Sequence, residues 1–319
     1  METRTKYILI VLLSAVIVAF ESIAVEALIN IEGINALLVS SIPLMSGGMI
    51  LMAISPRALK NFTRQLGRRG WGAMGVMCAL SAIGVFLWFD AVHRIGASKE
   101  AILGGGSSEV LFIVLLSALF LKERLNRWEV LGSILVLLGV FVVLSNRESV
   151  SLHIGLGEAE AILSSFLLAA SVMITTFLLW THDLTALSSV QLVLSGAMLL
   201  FGSLALGLTA LPDGRGALLM LLLGVAPGIG LWTYNAGLPK IGASLTSVLF
   251  ALCGIFTVGA QFTITLIFPE AEMILPENLS LVVLGGVIAF LGVYVLEVEG
   301  GRSRRDSMVA TEDRRSGDS

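Results

Sequence analysis

Four carboxylates fall where a carboxylate is expensive. Glu21 and Glu26 sit in the apolar run 7–29, Asp90 in the run 71–92 and Glu109 in the run 99–121. An ionisable side chain in hydrocarbon costs roughly 2.5–3.5 kcal/mol on insertion scales, so each needs a function or a partner. The chemistry open to such acids is proton exchange or pairing with a cation: hydrocarbon favours the neutral acid, and a positively charged ligand favours the carboxylate. Competition between substrate and proton for one carboxylate is a coupling device, because loading either expels the other. The alternative use is packing, a neutral acid hydrogen-bonded to a neighbouring helix for about 1 kcal/mol.

Depth sorts the four. At about 1.5 Å per residue, a helix entering near Tyr7 carries Glu21 roughly 21 Å in, and one descending from Lys99 carries Glu109 roughly 15 Å in. Both are near the middle of a hydrocarbon core about 30 Å thick. Glu21 and Glu109 are therefore the first candidates for proton coupling and substrate binding. Glu26 and Asp90, nearer the outer surface, are the second, and Lys99 and Glu100 mark the outer helix end.

Two interruptions flank this depth. Gly104, Gly105 and Gly106, followed by Ser107 and Ser108, strip more than a helical turn of side chains and leave space or a break. Pro227, with Gly228 after it, removes an intrahelical hydrogen bond and kinks its own segment near the midplane. Interrupted helices in both halves of a chain point to a transporter site; close helix packing is the other reading of the glycine run. Pro43 reads as a plain kink.

Aromatic residues gather nearby. When Ile95-Gly96-Ala97-Ser98 is aligned with Ile241-Gly242-Ala243-Ser244, Phe86 and Trp88 near Asp90 answer to Trp232 and Tyr234 near Asn235. Such rings hold a cation or a flat ligand with about 0.5–2 kcal/mol. The expected substrate contacts are Glu21, Glu109, Trp88, Trp232, Tyr234, Asn235, Ser107 and Ser108. Gln191, Gln261, Ser164 and Ser165 have groups that bond either substrate or a neighbouring helix. Cys78 and Cys253 lie inside apolar runs, so neither a disulfide framework nor a metal spacing exists. His93, His153 and His182 fall in loops, too scattered for a metal. With no nucleophile beside a base and no phosphate loop, the sequence predicts no enzyme, cofactor or metal.

The elements that must position these residues are membrane spans. The chain has 319 residues, 56% hydrophobic and only 13% charged, against roughly a quarter charged in soluble domains, and its mean hydropathy is +0.94. At about 20 residues per span there is room for roughly ten helices and no soluble catalytic domain. Ten segments emerge: 7–29, 36–54, 71–92, 99–121, 128–145, 158–180, 186–210, 216–238, 244–268 and 279–298. With the N-terminus inside, 16 of the 20 basic residues fall on the cytoplasmic side and four, Arg94, Lys99, Arg147 and Arg215, outside; cytoplasmic loops retain Lys and Arg. Trp71, Trp128 and Trp180 then stand at cytoplasmic helix ends. No basic residue lies deep in the membrane, so phosphorylated substrates are disfavoured, and no basic face is offered to nucleic acid.

The chain also repeats itself. Beside the Ile-Gly-Ala-Ser pair, Leu131-Gly132 with Leu138-Gly139-Val140 matches Leu284-Gly285 with Leu291-Gly292-Val293 at the same spacing. The unit is five helices, an odd number, so the second copy enters from the opposite side. The expected fold is an all-α polytopic membrane protein of ten transmembrane helices in two inverted five-helix repeats, 1–147 and 148–299, with a mobile cytoplasmic tail, 300–319.

Phe89-Asp90-Ala91-Val92-His93-Arg94-Ile95-Gly96-Ala97-Ser98, then Leu119-Phe120-Leu121-Lys122-Glu123-Arg124-Leu125 and the Leu-Gly pairs, resembles the EamA-type half of the drug/metabolite transporter superfamily. The resemblance covers both halves, about 7–298. Glu109-Val110 stands where many members carry a small residue and proline, and Phe268-Pro269-Glu270-Ala271 replaces the Glu-Arg-Leu turn in the second half. The resemblance implies a central cavity and transport of small metabolites or drugs, often outward. The expected partners are a small neutral or cationic organic substrate, protons, membrane lipid and a second copy in a homodimer. The expected location is the plasma or inner membrane with both termini cytoplasmic.

Overall fold

The computed structural model describes residues 2–121, 127–146, 149–152, 154–208, 212–268, 273–276 and 278–295. The tail expected at 300–319 and the basic residues Lys122, Arg124 and Arg147 lie outside them. The described chain is helical apart from one small hairpin, β1 (Ser145–Asn146) paired antiparallel with β2 (Ser149–Leu152), which straddles the expected division at 147/148.

The first half runs α1 (Glu2–Asn30), α2 (Ala36–Ile54), α3 (Pro56–Gln65), α4 (Arg68–Ile95), α5 (Ala97–Leu103), a π-helical turn (Gly104–Ser108), α6 (Glu109–Leu121) and α7 (Arg127–Leu144). The second runs α8 (Leu156–Leu179), α9 (Leu184–Ala205), α10 (Gly214–Leu223), α11 (Val225–Ile241), α12 (Ala243–Ile267) and α13 (Leu279–Tyr294). Among the described residues seven helices are long and apolar enough to cross a membrane, with Gly214–Ile241 counted as one; Val130–Leu144 and Leu279–Tyr294 are apolar but shorter. The protein is a multi-pass helical membrane protein.

Its surface and interior exchange the usual roles. Leu9, Phe20, Ile54, Leu119, Phe201 and Leu266 are exposed, whereas Ser14, Ser40, Ser41, Ser188, Ser203 and Thr257 are fully buried. Without a hydrophobic drive between helices, small and hydroxylic residues make the contacts and long apolar ones face lipid. One element escaped the sequence reading. Helix α3 places Phe62 in the core among Leu66, Leu178 and Leu187, edge-on to the His182 ring at 5.3 Å, and leaves Arg57 and Arg64 exposed.

Packing pairs α2 with α9, α4 with α8, α7 with α13, and α1 with both α11 and α12. At the crossing of α7 and α13, a Cβ on Gly139 would meet Gly285 O at 2.6 Å and one on Gly292 would meet Gly132 O at 2.8 Å, so backbones touch there. The two Ile-Gly-Ala-Ser segments share one geometry. Gly96 (φ 79°, ψ 153°) ends α4 and Gly242 (φ 87°, ψ 156°) ends α11, a left-handed conformation that a side chain resists.

Candidate functional site

The turn at Gly96 leaves the first N–H groups of α5 without helical partners, and two distant side chains supply them. Glu26 Oε2 accepts from Ala97 N at 2.8 Å and from Gln261 Nε2 at 2.9 Å, while Glu26 Oε1 accepts from Ile274 N. Gln261 Oε1 accepts from Ser98 N at 2.9 Å. Glu26 thus ties α1, α5, α12 and the segment before α13 together, and it lines neither of the cavities described below.

Asp90 is likewise engaged. Arg94 Nε donates to Asp90 Oδ2 at 2.8 Å and lies 3.0 Å from Glu160 Oε2, and Lys99 Nζ pairs with Glu158 Oε1 at 2.5 Å. These pairs join the end of α4 and the start of α5 to the first turns of α8. His93, expected in a loop, belongs to the last turn of α4.

Glu21 and Glu109 are different. They are 3% and 7% exposed, and neither makes a hydrogen bond to the described residues. Both line one chamber of about 130 Å³, enclosed by α1, α2, α4, α6, α8, α9, α11 and α12. Trp88 and Tyr234, the aligned residues of the two halves, line it together, and the Tyr234 ring sits edge-on to Phe250 at 5.0 Å. The sequence reading brought these four together. It also named Gln191, which reaches the chamber from α9: its Nε2 donates to Ser81 Oγ at 3.0 Å, Ser81 and Ser171 hydroxyls are 3.1 Å apart, and Gln191 Oε1 has no partner. No Lys, Arg or His lines the chamber among the described residues.

The other expected substrate contacts lie elsewhere. Trp232 Nε1 donates to Thr185 Oγ1 at 3.1 Å, and its ring packs with Phe86 against one apolar cluster. Asn235 Nδ2 donates to Ser188 Oγ at 3.0 Å between α11 and α9. Ser107 bonds back to Ile102 O and, with Gly106, faces a separate groove among α5, α12 and α13. Ser108 is buried and lines neither chamber.

The interruptions take particular forms. Gly104–Ser108 is a π-helical turn, and Glu109 N bonds Gly104 O five residues back. In an unbroken α-helix the nine residues from Glu100 to Glu109 make about two and a half turns and set the two acids on opposite faces. The wider turn absorbs an extra residue and swings Glu109 to the side of Glu100, within electrostatic range. In the second half the break falls at Gly224, between α10 and α11, three residues before Pro227, which has no N–H to bond its helix. Pro227 lines the chamber, and Gly228 packs against Gly47 of α2.

Glu100 refines the sequence reading. It stands in the first turn of α5, at a helix end as expected, but its carboxyl turns inward: it is 1% exposed, with Trp88 Nε1 donating to its Oε2 at 2.7 Å. Only Lys99, one residue away, turns outward to Glu158.

Residues 5–145 match the EamA-like transporter family. The resemblance read from the sequence, to the EamA-type half of the drug/metabolite transporter superfamily, therefore holds over the first half of the chain. A protein of Methanothermobacter thermautotrophicus described as an uncharacterized transporter is 30% identical over 204 residues, 60% of this chain. The chain spans 54% of that relative's length. A protein known from its crystal structure shares the fold, with a TM-score of 0.62 at 16% identity, over 95% of this chain and 99% of that one.

Proposed function

We propose that the protein is a secondary transporter of a small organic amine or amino acid, working by alternating access with proton coupling through Glu21 and Glu109, and directed outward across the plasma or inner membrane. The carrying observation is the chamber: two acids and the unpartnered amide oxygen of Gln191 reach it, the rings of Trp88, Tyr234 and Phe250 line it, and no cation neutralises the acids among the described residues. A few acceptors on an otherwise apolar wall favour a small ligand that donates to them, and the rings add cation-π attraction. About 130 Å³ suits a metabolite smaller than the occupants of drug-sized pockets, which are roughly 300–1,000 Å³.

The architecture behind this reading is ten spans in two inverted repeats, with α5, the π turn and α6 as the fourth and with both termini cytoplasmic. Its support is equivalence between halves. Across a twofold axis, α2 along α9 and α7 along α13 are self-paired, α4 along α8 is answered by α11 along α1, and Gly139 against Gly285 is answered by Gly292 against Gly132. A site between such halves can open to either side as they rock.

The test is reconstitution in liposomes holding a trapped pH dye, with a panel of amines and amino acids. Proton movement evoked by one of them, and lost in Glu109→Gln and Glu21→Gln, is the expected result. Radiolabelled substrate crossing with no proton movement would make the protein an uncoupled facilitator, and no crossing by any member would remove the transport reading.

A further inference from the structure

Three ion pairs join the two halves, and all stand at one end of the molecule. Arg94, at the end of α4, lies 3.0 Å from Glu160; Lys99, in the first turn of α5, lies 2.5 Å from Glu158; and Arg215, at the start of α10, lies 3.1 Å from Glu32, just after α1. This is the end that the distribution of basic residues puts outside. Among the described residues no ion pair joins the halves at the other end.

The repeat makes this imbalance a property of the sequence. With Ile95 aligned to Ile241, Arg94 answers to Lys240 and Lys99 to Leu245. Gly84 of α4 packs on Leu168 of α8 as its counterpart Gly230 packs on Val18 of α1, so Glu158 and Glu160 answer to Ile8 and Ile10. The same interface thus carries two acids facing two bases on one side, and on the other a lysine with no acid to meet it.

The pairs stand close to the chamber walls. Trp88 precedes Asp90, the second partner of Arg94, by two residues, and Leu168 follows Glu160 by about 12 Å of helix; both line the chamber. Glu100, next to Lys99, lines with Ser164 and Ser165 a smaller cavity of about 40 Å³ beside the chamber, and Trp88 belongs to the walls of both. The cations are partly exposed, Arg94 by 41% and Lys99 by 22%. Ion pairs in contact with water are individually weak, which suits a contact that must open and close again. We propose that these three pairs are the outer latch of the transport cycle, made while the chamber is closed to the outside and broken as α4 and α5 part from α8. The inference rests on the transport reading. A contact made in only one of two states favours that state, so the latch biases the protein toward its outward-closed form.

The experiment places a cysteine in the chamber, Leu192→Cys, and adds a membrane-impermeant maleimide outside right-side-out membrane vesicles. The same chain without Leu192→Cys is the blank for Cys78 and Cys253, both buried. Labelling is expected to be slow with the latch intact, about tenfold faster in Lys99→Glu, and slow again when Glu158→Lys is added to restore the pair with its signs exchanged. Arg94→Gln is expected to speed labelling as well and serves if Lys99→Glu does not fold. Arg64→Gln, on the exposed face of α3, leaves the rate unchanged. Fast labelling with the latch intact, equal rates in all variants, or no recovery in the exchanged pair would each overturn the proposal. Neither substrate nor proton gradient enters the measurement, so an absent latch leaves the transport reading standing, whereas a failure of that reading shows in the liposome assay and not in these rates.

Discussion

Trp88 Nε1 donates to Glu100 Oε2 at 2.7 Å, joining α4 to α5 across the turn at Gly96. The same indole forms part of the wall of both cavities. Trp88→Phe keeps an aromatic ring and removes the donor, leaving both Glu100 oxygens unpaired at a cost of about 1–3 kcal/mol. Thermal unfolding in detergent should show this loss. A melting temperature equal to wild type would mean that the bond contributes nothing.

Gly104 and Glu100 are coupled by space. A methyl at position 104 would overlap Glu100 Oε1, the end of a side chain that the Trp88 bond holds in place, so Gly104→Ala should destabilise by about 1–3 kcal/mol, the usual range for overpacking. The cause is specific, which a double-mutant cycle reads: in a Glu100→Ala background the penalty should largely vanish. Additive effects would place the strain in the π turn and not in the carboxyl.

The sequence carried the helices further than the site. The segment expected at 36–54 is α2 to the residue, because Asn35 caps it by accepting from Leu37 N and Pro56 starts a new helix. Glu21, Glu109, Trp88 and Tyr234 were legible as chamber residues, since an acid deep in an apolar run and an aligned aromatic pair are both visible in one dimension. Glu100 was not, because its neighbour Lys99 suggested a helix end and a regular helix would have turned it away from Glu109. Only the π turn reverses that, and the run of three glycines that permits it reads equally well as a packing surface. Helix α3 was lost among its charges, although Phe62 and Leu66 at i, i+4 were a signal of one buried face.

The crossing of α7 and α13 has its own test in two glycines of neighbouring helices. A Cβ on Gly285 would stand 2.6 Å from Gly139 O and 2.9 Å from Val143 N, both backbone atoms, whereas one on Gly259 would meet nothing within 4 Å. Gly285→Ala should therefore force the helices apart and lower the melting temperature. Gly259→Ala should be neutral or slightly stabilising, as Ala favours the helix by up to about 1 kcal/mol. Equal effects would refute the close backbone contact.

Glu26 and Glu21 are five residues apart on α1, both buried, and the structure gives them opposite surroundings. Glu26 accepts from Ala97 N, Gln261 Nε2 and Ile274 N, so Glu26→Gln turns one accepting oxygen into a donor facing donors. Loss of one hydrogen bond to a charged group costs about 1.5–3 kcal/mol, and the facing N–H groups add to it. Glu21 has no such bond to the described residues, and Glu21→Gln substitutes a neutral group of the same shape at a site where charge is expensive. Its melting temperature should equal or exceed that of wild type, while substrate-driven proton movement disappears. Glu26→Gln should melt lower, and the fraction that remains folded should still move protons with substrate. The reverse pattern, a stable but uncoupled Glu26→Gln with an unstable Glu21→Gln, would transfer the coupling role to Glu26 and the fastening role to Glu21.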